Sequence, residues 1–394
     1  MAMKRDEGLA LPARTIASPQ SRRTCIILDA AHQLCQIGCD MKLLLTLTDQ
    51  SFTATKSVGI FNVSMGLARG LMQCPQVSEL HILGNNECAA AFANCPPHVH
   101  LHELERPVPR RFGRVYWDQL GLPAAIRRIR PDWALLPKGY PPFFPCLGRT
   151  KLACYLHDVN WEYYEQQGKS TASPFPTHEL LYFRALAKRA LTASQLVLTS
   201  TQFNKQRYLQ YVPQAQVAVV GIGFDTPPST RPPQGQDILF FTSSFPHKLT
   251  PLGIERLQHW LRQAPGAAAI RIHAVGSLPP GTTLPDARWI HHGRIPQAEL
   301  QQLMATTCRV AVYFSAYEGY GMPPVECLRA GLPCVSSALP PIRENIPAPY
   351  LFDNADEAAF IRTMNTAYLA TTPPTCPTYP TWAQVAQRCI QAMA

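Results

Sequence analysis

The chain has 394 residues and is 46% hydrophobic, enough to bury the cores of two or three domains, which excludes intrinsic disorder as its main state. Lys and Arg (36) exceed Asp and Glu (26) by 10. The excess is uneven: residues 41–225 hold 19 basic against 12 acidic side chains and residues 226–394 hold 12 against 10, so one half is expected to meet something anionic.

Residues 1–40 read as an N-terminal extension, because Met41 opens the first convincing strand, Met41 to Thr48. The first 24 residues mix Lys4, Arg5, Asp6, Glu7 and Arg14 with no apolar core, unlike a secretory signal. No apolar run approaches the roughly 20 residues that span a bilayer. A cytoplasmic protein, peripheral at the inner face of a membrane at most, is expected. The 13 cysteines include no Cys-x2-Cys pair, so they read as buried reduced thiols and no zinc site is expected.

A loop from Asp49 leads through Gly59 into a helical pattern marked by Ile60, Val63, Leu67 and Leu71. Strand-like runs then recur at Leu80–Leu83, Val99–Leu101, Trp133–Leu136, Lys151–His157, Leu196–Ser200 and Val217–Val220, with helical patterns at Leu120–Ile129 and His178–Ala193. The Pro- and Gly-rich segment Gly223–Gly235 breaks the series and reads as an interdomain connection. A second series follows, at Ile238–Thr242, Ile270–Val275, Trp289–His292, Val310–Phe314, Pro333–Ser336 and Tyr350–Phe352. Such alternation predicts an α/β protein of two tandem Rossmann-like domains, 41–225 and 226–372. An irregular proline-broken tail and a final helix, Trp382–Met393, make up residues 373–394 and are expected to pack back toward the N-terminal domain.

The chemistry concentrates in residues 313–346, which read as strand, tight loop, helix and strand. Gly319 and Gly321 let backbone approach a ligand without a Cβ in the way. Pro323 and Pro324 suit the first turn of a helix, whose free N–H groups attract phosphate. Glu318 and Glu326 flank that anion site; phosphate repels them, so both should accept hydrogen bonds from neutral sugar hydroxyls.

The run Glu318-Gly319-Tyr320-Gly321-Met322-Pro323-Pro324-Val325-Glu326-Cys327 resembles the Glu-x7-Glu hallmark of glycosyltransferase family 4, retaining nucleotide-sugar enzymes of the GT-B fold. Tyr320 and Cys327 depart mildly from the family's Phe and Ala. The resemblance extends over nearly everything from Met41 onward, through Cys154-Tyr155-Leu156-His157-Asp158, Leu196 to Phe203 and Gly223-Phe224-Asp225. It implies a domain facing the acceptor, a domain holding the donor, and a cleft between them. It places Glu326 on the ribose, Glu318 on the donor sugar, and Gly319, Tyr320, Gly321, Met322 and Pro323 near sugar and phosphate. His157 would face the sugar from the other side, Gly59 would lie near the diphosphate, and Arg294 follows the strand whose loop meets the nucleobase. Lys248 matches the family's phosphate-binding lysine, whereas His247 stands where an Arg is common.

In such an enzyme Glu318, His157 and Lys248 carry the catalytic roles, no essential divalent metal or other cofactor is expected, and the sequence has no Asp-x-Asp motif to hold a metal. The acceptor, a glycan or lipid-linked molecule, is expected on the basic and aromatic segment that includes Arg110, Arg111, Arg114 and Trp117, which also suits an anionic membrane surface. The His-Asp element favours GDP-mannose, with a UDP-hexose close behind. Another GT-B enzyme such as a nucleotide-sugar epimerase, or a non-catalytic nucleotide-sugar or anionic-ligand binder, remains the alternative; no nucleic-acid module is recognisable.

Overall fold

The computed structural model describes residues 40–48, 58–92, 94–103, 113–143, 147–167, 176–264 and 266–394. The expected extension up to residue 39, the loop before Val58, and Arg106, Arg110 and Arg111 lie outside the described residues, and Arg114 is described only in its backbone.

Thirteen strands form two all-parallel sheets among these residues. The first contains β1 (Met41–Leu47), β2 (Val77–Gly84), β3 (Val99–Glu103), β4 (Trp133–Leu136), β5 (Lys151–Tyr155), β6 (Leu196–Thr199) and β7 (Val217–Val219), in the order β3-β2-β1-β4-β5-β6-β7. The second contains β8 (Asp237–Thr242), β9 (Ile272–Gly276), β10 (Trp289–Gly293), β11 (Cys308–Tyr313), β12 (Cys334–Ser337) and β13 (Leu351–Phe352), in the order β10-β9-β8-β11-β12-β13. Each sheet thus reverses its winding once, between β1 and β4 and between β8 and β11, as a doubly wound α/β sheet does. Parallel strands are covered by helices on both faces, which is why β1 reads as a continuous apolar run rather than an alternating one: Leu43, Leu44 and Leu45 are all fully buried.

The longer helices are α1 (Val58–Leu71), α2 (Leu122–Ile129), α3 (Trp161–Gln167), α4 (Thr177–Ala193), α5 (Gln202–Tyr211), α6 (Thr250–Gln263), α7 (Met322–Arg329), α8 (Glu357–Leu369) and α9 (Trp382–Met393). None of the described helices is long and apolar enough to cross a membrane. The helix expected from Leu120 opens instead with a wide turn at Trp117–Gly121, where a Cβ on Gly121 would collide with the Trp117 ring. The strand expected to reach His157 stops at Tyr155, leaving His157 in a loop. Residues 220–236 carry neither helix nor strand and join the two sheets.

α9 starts with a reciprocal cap, Thr381 accepting from the Gln384 N–H while the Gln384 side chain accepts from Thr381. Its apolar face lies on α1, where Gly66 and Gly70 leave room for Trp382. The largest apolar cluster therefore runs from Leu45 and Leu67 in the first sheet and α1, through Trp382 and Val385, to Leu239 and Cys327 of the second half.

Candidate active site

In an open α/β sheet the crevice outside the carboxyl ends of the strands, at the reversal of strand order, is where ligands bind. Here the ends of β8 and β11 open into a cleft of about 1600 Å³ shared with the start of α1 and the joining segment. After β8 the chain makes a tight turn at Pro246–Lys248 and enters α6 through Leu249 at φ 47°. The Thr250 hydroxyl holds this turn, donating to the Ser243 carbonyl at 2.9 Å and accepting the Ser243 N–H at 3.0 Å. Lys248 is thereby aimed at the end of β11. Its Nζ donates to Tyr313 Oη at 2.8 Å and to Glu318 Oε1 at 2.5 Å, and the Tyr313 hydroxyl donates to the same Oε1 at 2.5 Å. Burial would raise the Glu318 carboxyl, but the Lys248 ammonium and these hydrogen bonds outweigh it and hold the group below its ordinary range. Lys248 and Tyr313 line the cleft; the Glu318 side chain is only 10% exposed.

Gly321 precedes α7 at φ 88°, a conformation that favours glycine, and a Cβ there would come within 2.9 Å of Ile342 Cγ1. The first turn of α7, Met322 and Pro323, has no side-chain cap and faces the cleft. One turn on, Glu326 lines the same cleft without a hydrogen-bond or ion-pair partner among the described residues, and burial pushes its carboxyl up to about 7. Opposite stands the start of α1: a Cβ on Gly59 would be 3.7 Å from Met322 Sδ, so two helix beginnings meet across the opening. Arg294, after β10, lines it too. Lys248, Glu326, Met322, Pro323, Gly59 and Arg294, remote in sequence, are thus brought to one cleft.

Other residues singled out in the sequence are engaged elsewhere. A Cβ on Gly319 would stand 2.4 Å from the His157 carbonyl oxygen, so this glycine is needed where the two halves touch. Its own carbonyl accepts from Thr201 Oγ1 at 3.2 Å and Asn204 Nδ2 at 2.9 Å. The Tyr320 ring is buried beside Phe224, 6.4 Å between centroids. His247 is buried with Nδ1 2.6 Å from the Tyr164 hydroxyl; burial and the adjacent Lys248 bring its pKa down to about 3, so it is neutral. His157 donates from Nε2 to the Pro137 carbonyl at 2.7 Å and is likewise neutral, burial lowering it to about 4. Trp117 sits edge-on to Tyr116 and does not line the cleft. Tyr313 is the residue that sequence reasoning missed: a tyrosine ending an apolar strand reads as core, and its position just before the glycine loop is the only hint.

The family model for glycosyl transferases group 1 matches residues 284–370, which include Glu318 and Glu326. No curated protein is similar enough in sequence to count as a relative. Among solved structures, the chain is similar to Anabaena HepE in complex with UDP and glucose (17% identity, 89% of this chain and 94% of that one, TM-score 0.57). It is similar to the sucrose-phosphate synthase of Thermosynechococcus elongatus (15% identity, 89% and 94%, TM-score 0.60). A third likeness is to the Escherichia coli trehalose-6-phosphate protein bound with UDP-2-fluoro glucose (12% identity, 89% and 94%, TM-score 0.56). With the two sheets and their shared cleft, these likenesses show a GT-B fold of two Rossmann-like domains, whose second half carries a segment similar to glycosyl transferases group 1.

Proposed function

We propose that the chain is a retaining hexosyltransferase of glycosyltransferase family 4, moving a hexose from a nucleoside diphosphate sugar to a glycan or lipid-linked acceptor. The observation that carries this reading is the pairing, in one cleft, of the Lys248 ammonium with an uncapped helix start and an unpartnered Glu326. A diphosphate answers the first two, and a ribose diol supplies the donors that Glu326 lacks. The cleft exceeds the roughly 300–1,000 Å³ of ordinary small-molecule sites, which leaves room for donor and acceptor together.

As the bond between the anomeric carbon and the phosphate oxygen breaks, negative charge gathers on the departing nucleoside diphosphate. Lys248 and the α7 N–H groups stabilise it. The acceptor oxygen attacks on the face the leaving group vacates and passes its proton to the departing phosphate, so the configuration is retained. Glu318, fixed as a carboxylate by Lys248 and Tyr313, takes sugar hydroxyls. His157, with its proton on Nε2, keeps a lone pair on Nδ1 for another hydroxyl. Arg294 and the loop after β10 lie toward the base, and the basic segment around Arg110, Arg111, Arg114 and Trp117 is assigned to the acceptor and to peripheral membrane contact.

GDP-mannose is the donor favoured by the His157-Asp158 element. A UDP-hexose is the second reading, favoured by the UDP and UDP-2-fluoro glucose held by two of the similar structures. Thermal unfolding with UDP, GDP or ADP and their hexose conjugates, in EDTA, decides between them. A rise in Tm selective for one base supports the donor site and names the nucleotide; no rise with any of them overturns the reading.

A further inference from the structure

The edge of the first sheet, away from the cleft, carries a cluster that sugar transfer does not use. β2 and β3 pair in parallel with His81 opposite His100 and Leu83 opposite His102. Side chains two residues apart share a face of a strand, so Glu79 and His81 on β2 and His100 and His102 on β3 project from the same side of this edge. His81 is 8% exposed, a polar side chain at a position where a covered sheet ordinarily places an aliphatic one. Its Nε2 lies 3.2 Å from Glu79 Oε2, and the His100 ring stacks on it at 4.8 Å between centroids.

We propose that Glu79, His81 and His100 form a binding site for a divalent ion of the zinc type, separate from the cleft. One donor atom from each of the three lies within 4.8 Å of the others, and among the described residues no other three such side chains come together in this way. Zinc holds nitrogen and oxygen donors at about 2.0–2.2 Å, so tetrahedral ligands stand about 3.3 Å apart, and a small turn of the exposed His100 ring closes the set. Glu79 Oε2, the oxygen 3.2 Å from His81 Nε2, also accepts from Lys42 Nζ at 2.7 Å, which fixes the carboxylate beside the imidazole. His81 Nδ1 is 2.8 Å from His102 Nε2; donating its proton there leaves the Nε2 lone pair for the metal, with His102 as the outer partner that orients the ring. Three protein ligands on an open edge leave the fourth position to water.

The second sheet offers an internal comparison. His273 Nδ1 lies 2.9 Å from His292 Nε2, and His273 Nε2 lies 3.1 Å from Asp237 Oδ2, a similar carboxylate–imidazole–imidazole chain, but the residue opposite His273 on the neighbouring strand is Ile290 where His81 faces His100. That pair is a hydrogen-bonded relay, and it serves as the control.

The test uses the full chain, stripped with EDTA and dialysed, then titrated with zinc chloride by calorimetry and with cobalt chloride by visible absorption. The wild type should bind one equivalent with nitrogen and oxygen ligands. His100→Ala, at an exposed position, should fold with unchanged Tm in EDTA yet bind this equivalent at least tenfold more weakly, as should Glu79→Gln; His292→Ala should bind it as the wild type does. Unchanged binding in His100→Ala and Glu79→Gln would overturn the proposal and leave the cluster a relay. So would a cobalt spectrum dominated by thiolate charge transfer, which would assign the bound ion to cysteines.

Discussion

Glu318, held beside the cleft by Lys248 and Tyr313, and Glu326, which lines it, respond to pH in opposite senses. Glu318 sits below its ordinary range, so its contribution to stability is present above about pH 4.5 and is lost as pH falls through its folded value. Glu326 has no counter-charge and is raised to about 7, so the folded state is penalised as pH climbs from about 4.5 to 7, by up to about 3 kcal/mol. Glu326→Gln removes that penalty. Its stability relative to wild type, from urea unfolding, should rise between pH 5 and 7 and stay level above; a constant difference would mean that Glu326 is solvated. If a ribose diol binds there, it favours the ionised carboxylate, so nucleoside diphosphate binding should strengthen from pH 6 to 8 in wild type and not in Glu326→Gln. Glu318 and Glu326 were legible as candidates through their spacing and the glycines beside them, and Lys248 only through its resemblance to the family's phosphate-binding lysine. Tyr313 was not, nor was the burial of His247 against Tyr164, because both depend on which surfaces the two halves bring together.

Between helices, the most specific contact is the seat of α9 on α1. A Cβ on Gly66 would stand 2.0 Å from Trp382 Cε2, and one on Gly70 2.3 Å from the Trp382 carbonyl oxygen. Gly66→Ala gains about 1 kcal/mol of helix propensity, but overpacking against the indole costs about 1–3 kcal/mol. The variant should therefore be less stable than wild type in urea, whereas the same substitution made in Trp382→Ala should be neutral or stabilising. Stabilisation in both backgrounds would show that the indole does not fill this seat. Strands were legible to within a few residues because parallel strands buried on both faces appear as plain apolar runs. The amphipathic run from Trp382 to Met393 also announced its helix. The seat itself carries no local signal, since Gly66 and Gly70 look only like helix-weakening residues until a tryptophan from the far end of the chain fills the space. Likewise nothing in Trp117–Gly121 announces the wide turn, which depends on Gly121 accommodating the Trp117 ring.

Across the whole molecule, the two halves are fastened by bonds that cross beside Gly319. Asn204 and Thr201 donate to the Gly319 carbonyl, the Val159 N–H donates to Tyr317 Oη at 3.0 Å, and Tyr164 reaches His247. The most telling crossing is Glu344. From the second half, its carboxylate accepts the Gln202 and Phe203 N–H groups at 2.8 and 2.7 Å, capping the first turn of α5 in the first half, where Thr201 already accepts from Asn204. A carboxylate at a helix start is worth about 1 kcal/mol when exposed, as this one is. Glu344→Ala should therefore lower stability by about that amount and speed amide exchange at Gln202 and Phe203, while leaving nucleoside diphosphate affinity within about twofold, because Lys248 and Glu326 both belong to the second half. Turnover, which in the proposed reaction needs His157 and the acceptor face of the first half held against Glu318, should fall several-fold. Equal losses in nucleotide affinity and turnover would place the defect in the donor half rather than in the fastening. Unchanged exchange at Gln202 and Phe203 would mean that Thr201 alone caps α5, and that the halves keep their relation through Gly319 without help from Glu344.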